Sequence, residues 1–568
     1  MKKLFTMFLM ALAGTISLNA QPRQQFSGVS DVKLASIPNF ILPGIYKDRT
    51  AHPLPARVDN SATKYMPPYT TWCIQGWSCA TATALYCFNF EVNRLRDAAS
   101  TGTMPQYPYL FAYEFLNGGN VAEGGDGWMF VDAFDIFKET GCPSSVDYGG
   151  FEWGYQFCGW MNGYAKYYNA MKNKVEEYYK IDAGKDSSVE LIKQYLYDCA
   201  EGAATGGILC FQANSENWTT TTVPAISAQA GKPMFSKLGG GGGHSMNIVG
   251  YDDNVGYDYN GDGKLLNPGT DISQWEKGSW IICNNWGDGI YYAPYRVFSS
   301  KTSGGLATSQ GVPTMFCKIK KDYSPLLTFK ISITHNQRNG IQLITGIANS
   351  AAAAAPTKTK NYSAAFNYCG GALPMCGKNQ SSTIEIGLDL TSFVKDLTGN
   401  EAKFFLQVNS KSGTGQVNGL SLMDYSGATM KETPCTETNK AITSGATTTI
   451  SISWTGTITP LARPFASPLA RTCLLSVFPN PVKRSSGQIW FSAQKNPGAI
   501  SAIRITDVRG CAVRTMALQG SGTDFGNAEI PWDLKDGSGK TVRAGVYIVN
   551  AEFKGGKIST ATPVTVTE

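Results

Sequence analysis

Three residues whose side chains suit one reaction follow each other along the chain: Cys79, then His244, then Asn284. A cysteine thiolate attacks a carbonyl carbon, an imidazole takes the thiol proton and returns it to the leaving group, and an asparagine oxygen holds the imidazole in the required tautomer. The chain has only three histidines, His52, His244 and His335, so few residues can supply that base. The set predicts a thiol nucleophile with its base and its orienting residue.

The residues around Cys79 predict the start of a helix beside the thiol. Apolar residues recur at three- and four-residue steps after it: Leu85, Phe88, Val92 and Leu95. Ser78 is a favourable N-cap residue, which puts Cys79 in the first turn, where free backbone N–H groups lower a thiol pKa. Gln75 can donate its amide to the oxyanion of a tetrahedral intermediate.

The other two residues lie in segments that predict strands. Five glycines, 239–243, precede His244 and predict a flexible hinge before a strand. An apolar strand ends at Asn284, followed by Asn285 and Trp286, and Trp286 would cover the His244–Asn284 hydrogen bond from water. Structural roles for Cys79 and His244, and a simple turn at the two asparagines, are the alternative interpretations.

These segments resemble the papain family of cysteine peptidases, in which the order is also Cys, His, Asn. The matching pieces are Ser-Cys at a helix start, Gly-His before an Ile-Val-Gly-Tyr-Asp strand, and Asn-x-Trp-Gly. Residues 124–128, Gly-Gly-Asp-Gly-Trp, resemble the family's Gly-Gly segment that hydrogen-bonds the substrate backbone, although a glycine turn is the alternative. The resemblance covers residues 55–322.

The resemblance implies a role for each matching position, with no cofactor needed for catalysis and with proteins or peptides as substrates. The implied roles are Cys79 as nucleophile, His244 as base, Asn284 as orienting residue, Gln75 as oxyanion donor, and the backbone of Gly124 and Gly125 as the substrate-binding segment.

The sequence departs from the family beside the nucleophile. Gln75 lies four residues before Cys79, Cys73 occupies the family's Gln position six residues before it, and Ala80 stands where the family has Trp. The Cys-to-His and Cys-to-Asn intervals are 165 and 205 residues, longer than the papain spacing of about 130 to 150, so the unit contains insertions. The segments at 54–59 and 160–171 look closest to a secreted bacterial branch.

One insertion has the pattern of a calcium loop. Asp258, Asn260 and Asp262 supply oxygens at positions 1, 3 and 5, Gly261 and Gly263 flank the last of these, and Lys264 supplies a backbone carbonyl at position 7. The twelfth position is Gly269 rather than Glu, so Asp271 or Glu276 would have to complete the shell. The segment predicts a structural calcium site or, alternatively, a polar Asx-rich turn.

The wider sequence predicts an α+β class protein: a papain-like catalytic domain, an all-β sandwich and a small Ig-like β domain. The fourteen cysteines invite disulfides, and Cys369 with Cys376 is a plausible local pair. The predicted divisions are a signal peptide at 1–20, a pro-segment or N-terminal strap at 21–54, the peptidase domain at 55–322, the β-sandwich at 323–460, a linker at 461–471 and the last domain at 472–568.

The two ends of the chain indicate export. Lys2 and Lys3 precede an apolar run that is too short to span a membrane, which predicts a cleaved secretory signal, and no later segment predicts a transmembrane helix. The segments Phe-Pro-Asn-Pro at 478–481, 505–510, Trp-Asp at 532–533 and Gly-Val-Tyr at 545–547 resemble the sorting domain of the type IX secretion system. The resemblance implies that machinery as a partner, and secretion or attachment at the outer surface of a Gram-negative bacterium.

Two other functions compete with the peptidase. Gly76-Trp77-Ser78-Cys79-Ala80 nearly fits a Gly-x-Ser-x-Gly nucleophile elbow, which would make Ser78 the nucleophile of an α/β hydrolase. A surface adhesin is the other alternative, in which the peptidase-like unit is inactive and the β-sandwich binds glycan or protein. The net charge of +6 without a Lys/Arg block excludes nucleic acid as an expected partner.

Overall fold

The computed structural model describes most of the chain. The described residues are 31–47, 52–68, 78–102, 105–119, 129–285, 289–302, 313–456, 474–478, 482–486, 488–494, 500–507, 511–517, 529–553 and 562–568. Within them, no helix is both long enough and apolar enough to cross a bilayer.

Helices are concentrated in the first third of the described chain. They are α1 Asp31–Ser36, α2 Cys79–Leu95, α3 Tyr109–Leu116, α4 Phe130–Glu139, α5 Ser145–Tyr148, α6 Gly150–Phe157, α7 Tyr164–Met171 and α8 Val189–Asp198. The predicted helix start is confirmed, since α2 begins at Cys79. The helix is buried on all sides and not on one face alone, because every residue from Ala80 to Asn93 is buried. The helix therefore crosses the middle of the core rather than lying on it.

A nine-stranded sheet packs against these helices. Its strands are β1 Arg57–Asp59, β2 Val175–Ile181, β3 Leu209–Glu216, β4 Thr219–Thr222, β5 Pro233–Lys237, β6 Gly241–Gly256, β7 Lys277–Asn284, β8 Gly289–Pro294 and β9 Thr314–Ile319. The order is β2-β9-β3-β6-β7-β8-β5-β4, with β1 on β6. The long strand β6 therefore lies between β3 and β7.

Residues 31–47 lie along the edge of this sheet. Asn39 forms a parallel bridge with Lys180 of β2, and the Phe40 ring packs edge-on against Phe316 at 4.9 Å between centroids. Tyr46 is buried and donates its hydroxyl to Asp198 at 3.2 Å. This part of the N-terminal segment packs against the unit, as either a pro-segment or a strap would.

Two further sheets follow, one of five strands and one of four, and they pack as a sandwich. The strands are β10 Leu327–His335, β11 Ile341–Ala348, β12 Lys358–Asn361, β13 Thr383–Asp389, β14 Glu401–Ser410, β15 Gly415–Asp424, β16 Lys431–Pro434, β17 Lys440–Ile442 and β18 Thr447–Thr455. One sheet runs β13-β10-β15-β16 with β17 on β15, and the other runs β12-β11-β14-β18. Buried residues alternate with partly buried ones in β10, and with partly buried or exposed ones in β18, which gives each sheet one core face.

The sandwich and the helical unit share one continuous apolar core. Lys174 and Asp389 form an ion pair of 2.6 Å across the junction, with each side chain only 4% exposed. Arg338 is also buried, and its guanidinium donates to the carbonyl oxygens of Gly370 at 2.7 Å and Cys158 at 2.8 Å. The boundary predicted near residue 323 therefore does not divide the apolar core into two.

The last part of the described chain forms a separate small β unit. Its strands are β19 Leu474–Phe478, β20 Val482–Lys483, β21 Ile489–Gln494, β22 Ile500–Asp507, β23 Ala512–Ala517, β24 Glu529–Trp532, β25 Gly545–Phe553 and β26 Thr562–Thr567. They form a β19-β21-β24 sheet and a β20-β26-β25-β22-β23 sheet. Trp532, Ile503 and Val549 are fully buried in a core of its own.

Candidate active site

Cys79 lies half-buried as the first residue of α2. The backbone N–H groups at the helix start lower the thiol pKa, as expected, but burial outweighs them. Burial raises the pKa of the Cys79 thiol, and hydrogen bonds to Ser245 and to the backbone of Ala80 and of Cys79 itself only oppose that rise. The contact with Ser245 brings the thiol against the residue that follows His244.

The structure joins His244 and Asn284 directly. His244 Nε2 lies 2.8 Å from Asn284 Oδ1, and both side chains are buried. The sheet explains the contact: Asn247 of β6 pairs with Cys283 of β7, so His244 and Asn284 share one face of the sheet a diagonal step apart. Because an amide oxygen only accepts, Nε2 carries the proton and Nδ1 is the basic nitrogen.

Burial also controls the charge of the imidazole. It lowers the pKa of His244 to about 4, and the hydrogen bond to Asn284 only partly opposes this. The imidazole is therefore neutral above about pH 4 and can accept a proton. Since burial disfavours a lone thiolate and a lone imidazolium alike, transfer of the thiol proton to His244 forms the two opposite charges together.

Asn285, which directly follows β7, is hydrogen-bonded to both α2 and β6. The sequence does not reveal this role, because Asn284 and Asn285 are adjacent residues of the same type. The buried Nδ2 of Asn285 donates to the carbonyl oxygen of Cys79 at 3.0 Å, to Thr83 Oγ1 at 2.8 Å and to the carbonyl oxygen of Ser245 at 3.0 Å. These contacts tie the first turn of α2 to β6 at the residue after His244. The two adjacent amides therefore contact different groups: Asn284 contacts the His244 imidazole, and Asn285 joins the first turn of α2 to β6.

The glycine run before His244 is not a hinge. β6 begins at Gly241, and Gly241 and Gly243 pair with Glu216 and Asn214 of β3. A Cβ atom at Gly239 would come within 2.2 Å of the Glu216 carbonyl oxygen. The glycines therefore allow close backbone approach, and His244 projects from a paired strand.

Several predicted residues lie outside the described part of the chain: Gln75, Gly124, Gly125 and Trp286. The described aromatic ring beside the base is Trp218, in the turn between β3 and β4, whose ring centroid lies 6.0 Å from that of His244. Ser78, the alternative nucleophile, is fully buried, and its carbonyl oxygen accepts from Thr81 Oγ1 at 2.9 Å. A nucleophile elbow would expose that side chain.

Comparison with known proteins gives matches in structure alone. No protein-family model and no curated protein matches the chain. Xylellain, a cysteine protease from Xylella fastidiosa, is 16% identical with a TM-score of 0.32, over 53% of this chain and 98% of xylellain. Procathepsin L 3 of Tenebrio molitor larval midgut is 14% identical with a TM-score of 0.29, over 50% of this chain and 75% of its own.

A type IX secretion protein also appears among the similar structures. PorZ, a surface component of that system in Porphyromonas gingivalis, is 17% identical with a TM-score of 0.14, over 29% of this chain and 21% of PorZ. The similar structures thus include cysteine proteases and a secretion component, each at low TM-score and partial coverage.

The predicted calcium loop brings three carboxylates together. Ligand oxygens of Asp258, Asp262 and Glu276 all lie within 4.8 Å of one another. Glu276 is buried and accepts from the backbone N–H groups of Tyr259 at 3.2 Å and Leu266 at 3.3 Å, which closes the loop at both ends.

The remaining predicted ligands of that loop take different positions. Asp271 pairs with Lys301 at 2.9 Å, so Glu276, and not Asp271, lies with Asp258 and Asp262. Asn260 Oδ1 accepts from the backbone of Asp262 at 2.8 Å, and the Lys264 N–H donates to Asp262 at 2.9 Å. These last contacts are Asx-type turns, one of the two arrangements that the sequence left open.

The predicted disulfide between Cys369 and Cys376 is wrong for this structure. Both are free thiols. The Cys376 thiol instead donates to the carbonyl oxygen of Thr383 at 3.2 Å, where β13 begins.

Proposed function

We propose that this protein is a secreted cysteine peptidase that hydrolyses peptide bonds through a thioester on Cys79. The observation that carries the proposal is the 2.8 Å contact between His244 Nε2 and Asn284 Oδ1, on a strand whose next residue, Ser245, contacts the Cys79 thiol. This arrangement leaves Nδ1 of His244 as the base that would take the proton of the half-buried Cys79 thiol.

The reaction then has two halves. His244 takes the proton of Cys79, the sulfur attacks the carbonyl carbon, and His244 returns the proton to the leaving amine as the carbon–nitrogen bond breaks. Water attacks the resulting thioester with His244 as base, and the carbon–sulfur bond breaks. The first backbone N–H groups of α2 have no carbonyl acceptor within the helix, and those of Cys79 and Ala80 lie against the Cys79 thiol. They would stabilise the oxyanion, together with the side chain of Gln75.

The same proposal includes a structural calcium ion in the loop between β6 and β7. Asp258, Asp262 and Glu276 offer the hard oxygen ligands that calcium prefers, with Asn260 and the Lys264 carbonyl as the other candidates. Glu276 is buried, Asp258 is partly buried and Asp262 is exposed, so a cation there would stay accessible from solvent. An ion there would brace the connection between the strands that carry His244 and Asn284.

The proposed location rests on the two ends of the chain. An N-terminal secretory signal and a C-terminal type IX sorting domain would export the peptidase or attach it to the outer surface of a Gram-negative bacterium. The two-sheet arrangement of residues 474–567 is compatible with a sorting domain of Ig-like fold.

Peptide hydrolysis by matched variants tests the proposal. Purified protein should cleave a peptide library, and Cys79→Ala and His244→Ala should each reduce kcat to background. Cys511→Ala is the matched control, because this exposed cysteine lies in the last β unit and should leave activity unchanged. Equal hydrolysis by the wild type and Cys79→Ala would refute the peptidase and leave the adhesin as the better hypothesis.

A further inference from the structure

Three aromatic rings from three different elements form a row that ends at the imidazole of His244. Tyr291 of β8 stacks on Phe235 of β5 with 4.3 Å between centroids and an interplanar angle of 15°. Phe235 in turn packs against Trp218 at 4.7 Å. Trp218 meets the ring of His244 edge-on, at 6.0 Å and 76°.

The backbone holds the end of this row in place. His244 pairs with Ala213 of β3, and Trp218 follows the end of that strand after Asn217, which turns the chain with φ at 60°. β4 then pairs with β5, which brings Phe235 behind the indole. Phe235 is only 1% exposed, whereas Trp218 keeps part of its surface in solvent. The indole is therefore a supported apolar surface beside the base.

We propose that Trp218 is a specificity-determining residue that favours a large apolar side chain immediately after the scissile bond. This inference rests on the proposed peptidase function. His244 must reach the leaving amine to protonate it, so the residue that carries that amine lies beside the imidazole. Its side chain then meets the nearest described apolar surface, the half-exposed indole. Aromatic rings contact one another favourably at centroid distances of about 4.5 to 7 Å, so the indole suits Phe, Tyr or Leu at this position.

Paired peptides measure the preference. Two substrates would share every residue up to the scissile bond and carry either Phe or Gly after it. Trp218→Ala should lower kcat/KM for the Phe peptide about tenfold or more and change the Gly peptide by less than about twofold, since one lost apolar contact is worth about 10- to 200-fold in discrimination. Trp153→Ala is the matched control, because this partly buried indole packs on Phe157 in α6 and should leave the Phe-to-Gly preference unchanged.

A competition assay measures the same preference as a ratio of two products, and this ratio does not depend on the fraction of the enzyme that is folded. An N-acyl amino acid ester would load Cys79, and phenylalaninamide and glycinamide would compete for the thioester. The amine nitrogen attacks the carbonyl, its proton passes to His244, the carbon–nitrogen bond forms, and Cys79 leaves as thiolate. The ratio of the two amide products should favour phenylalaninamide in the wild type and fall about tenfold in Trp218→Ala.

The outcomes separate the two proposals. An unchanged product ratio, or an equal loss on both peptides, overturns the role of Trp218 while the peptidase stands. If the wild type cleaves neither peptide and forms no acyl product with the ester, the peptidase proposal fails, and the role of Trp218 fails with it.

Discussion

Asn285→Ala should weaken the contact between helix α2, which begins at Cys79, and strand β6, which carries His244. The amide has two N–H hydrogens for three acceptors, the carbonyl oxygens of Cys79 and Ser245 and the hydroxyl of Thr83, so at most two full hydrogen bonds are lost. At about 1 kcal/mol each, plus about 1 kcal/mol for an acceptor left dry in the core, the free energy of unfolding should fall by about 3 kcal/mol. Asn285→Asp should cost more, because a carboxylate would then face the same oxygens.

Two measurements follow that effect. Urea unfolding in a Cys79→Ala background, which prevents self-digestion, gives the change in stability, with Asn169→Ala on the exposed side of α7 as the control. Alkylation of Cys79 by iodoacetamide is measured in proteins that keep this cysteine, by mass spectrometry of the peptide that contains it. Its rate should fall about tenfold in Asn285→Ala if the Asn285 hydrogen bonds contribute about 1.4 kcal/mol to holding the thiol in its reactive position. A stability loss below about 0.5 kcal/mol together with an unchanged alkylation rate would refute the role of Asn285.

Three further perturbations test other parts of the structure. Asn284→Asp places a buried negative charge beside the imidazole, so the pKa of His244 should rise from about 4 and the acid limb of the kcat/KM–pH profile should move to higher pH. Glu276→Gln should abolish the increase in Tm that calcium gives the wild type, measured by thermal unfolding with calcium and with a chelator. Asp389→Asn leaves Lys174 buried without its counter-charge, so the free energy of unfolding in urea should fall by about 3 to 5 kcal/mol.

Matched variants decide whether those effects are specific. Asp536→Asn removes an exposed Asx turn from the last β unit and should leave any calcium effect on Tm intact. Glu437→Gln breaks an exposed ion pair with Lys440 and should change the free energy of unfolding by less than about 1 kcal/mol. A Glu276→Gln protein with a full calcium response, or an Asp389→Asn protein as stable as its control, would contradict the corresponding assignment.

The sequence predicts local features of this protein well, because periodicity and turn residues act over a few positions. The start of α2 at Cys79 follows from the apolar spacing after it, and the residues predicted to form an all-β sandwich contain the strands β10 to β18. The contact of His244 with Asn284 was also expected, since two strands that end in complementary side chains are easily recognised.

What the sequence does not reveal depends on contacts between distant residues. Asn285 looks like a turn residue until α2 and β6 supply its acceptors from 206 and 40 positions away. The glycines before His244 look flexible because the strand that requires them, β3, is separate in sequence. The pKa of Cys79 rises because burial, which no short motif records, outweighs the helix start.

The ion pair between Lys174 and Asp389 also bears on how the chain is made. These partners are 215 residues apart in the chain. Asp389, which lies in the sandwich, is therefore synthesised after all of residues 55–322. A chain that ends near residue 322 would leave Lys174 without its counter-charge and expose the apolar surface that α7 shares with β13. Because residues 55–322 share their core with the sandwich, we expect a chain that lacks the sandwich to fold incompletely, so any activity of the first unit would begin only after the sandwich has been synthesised.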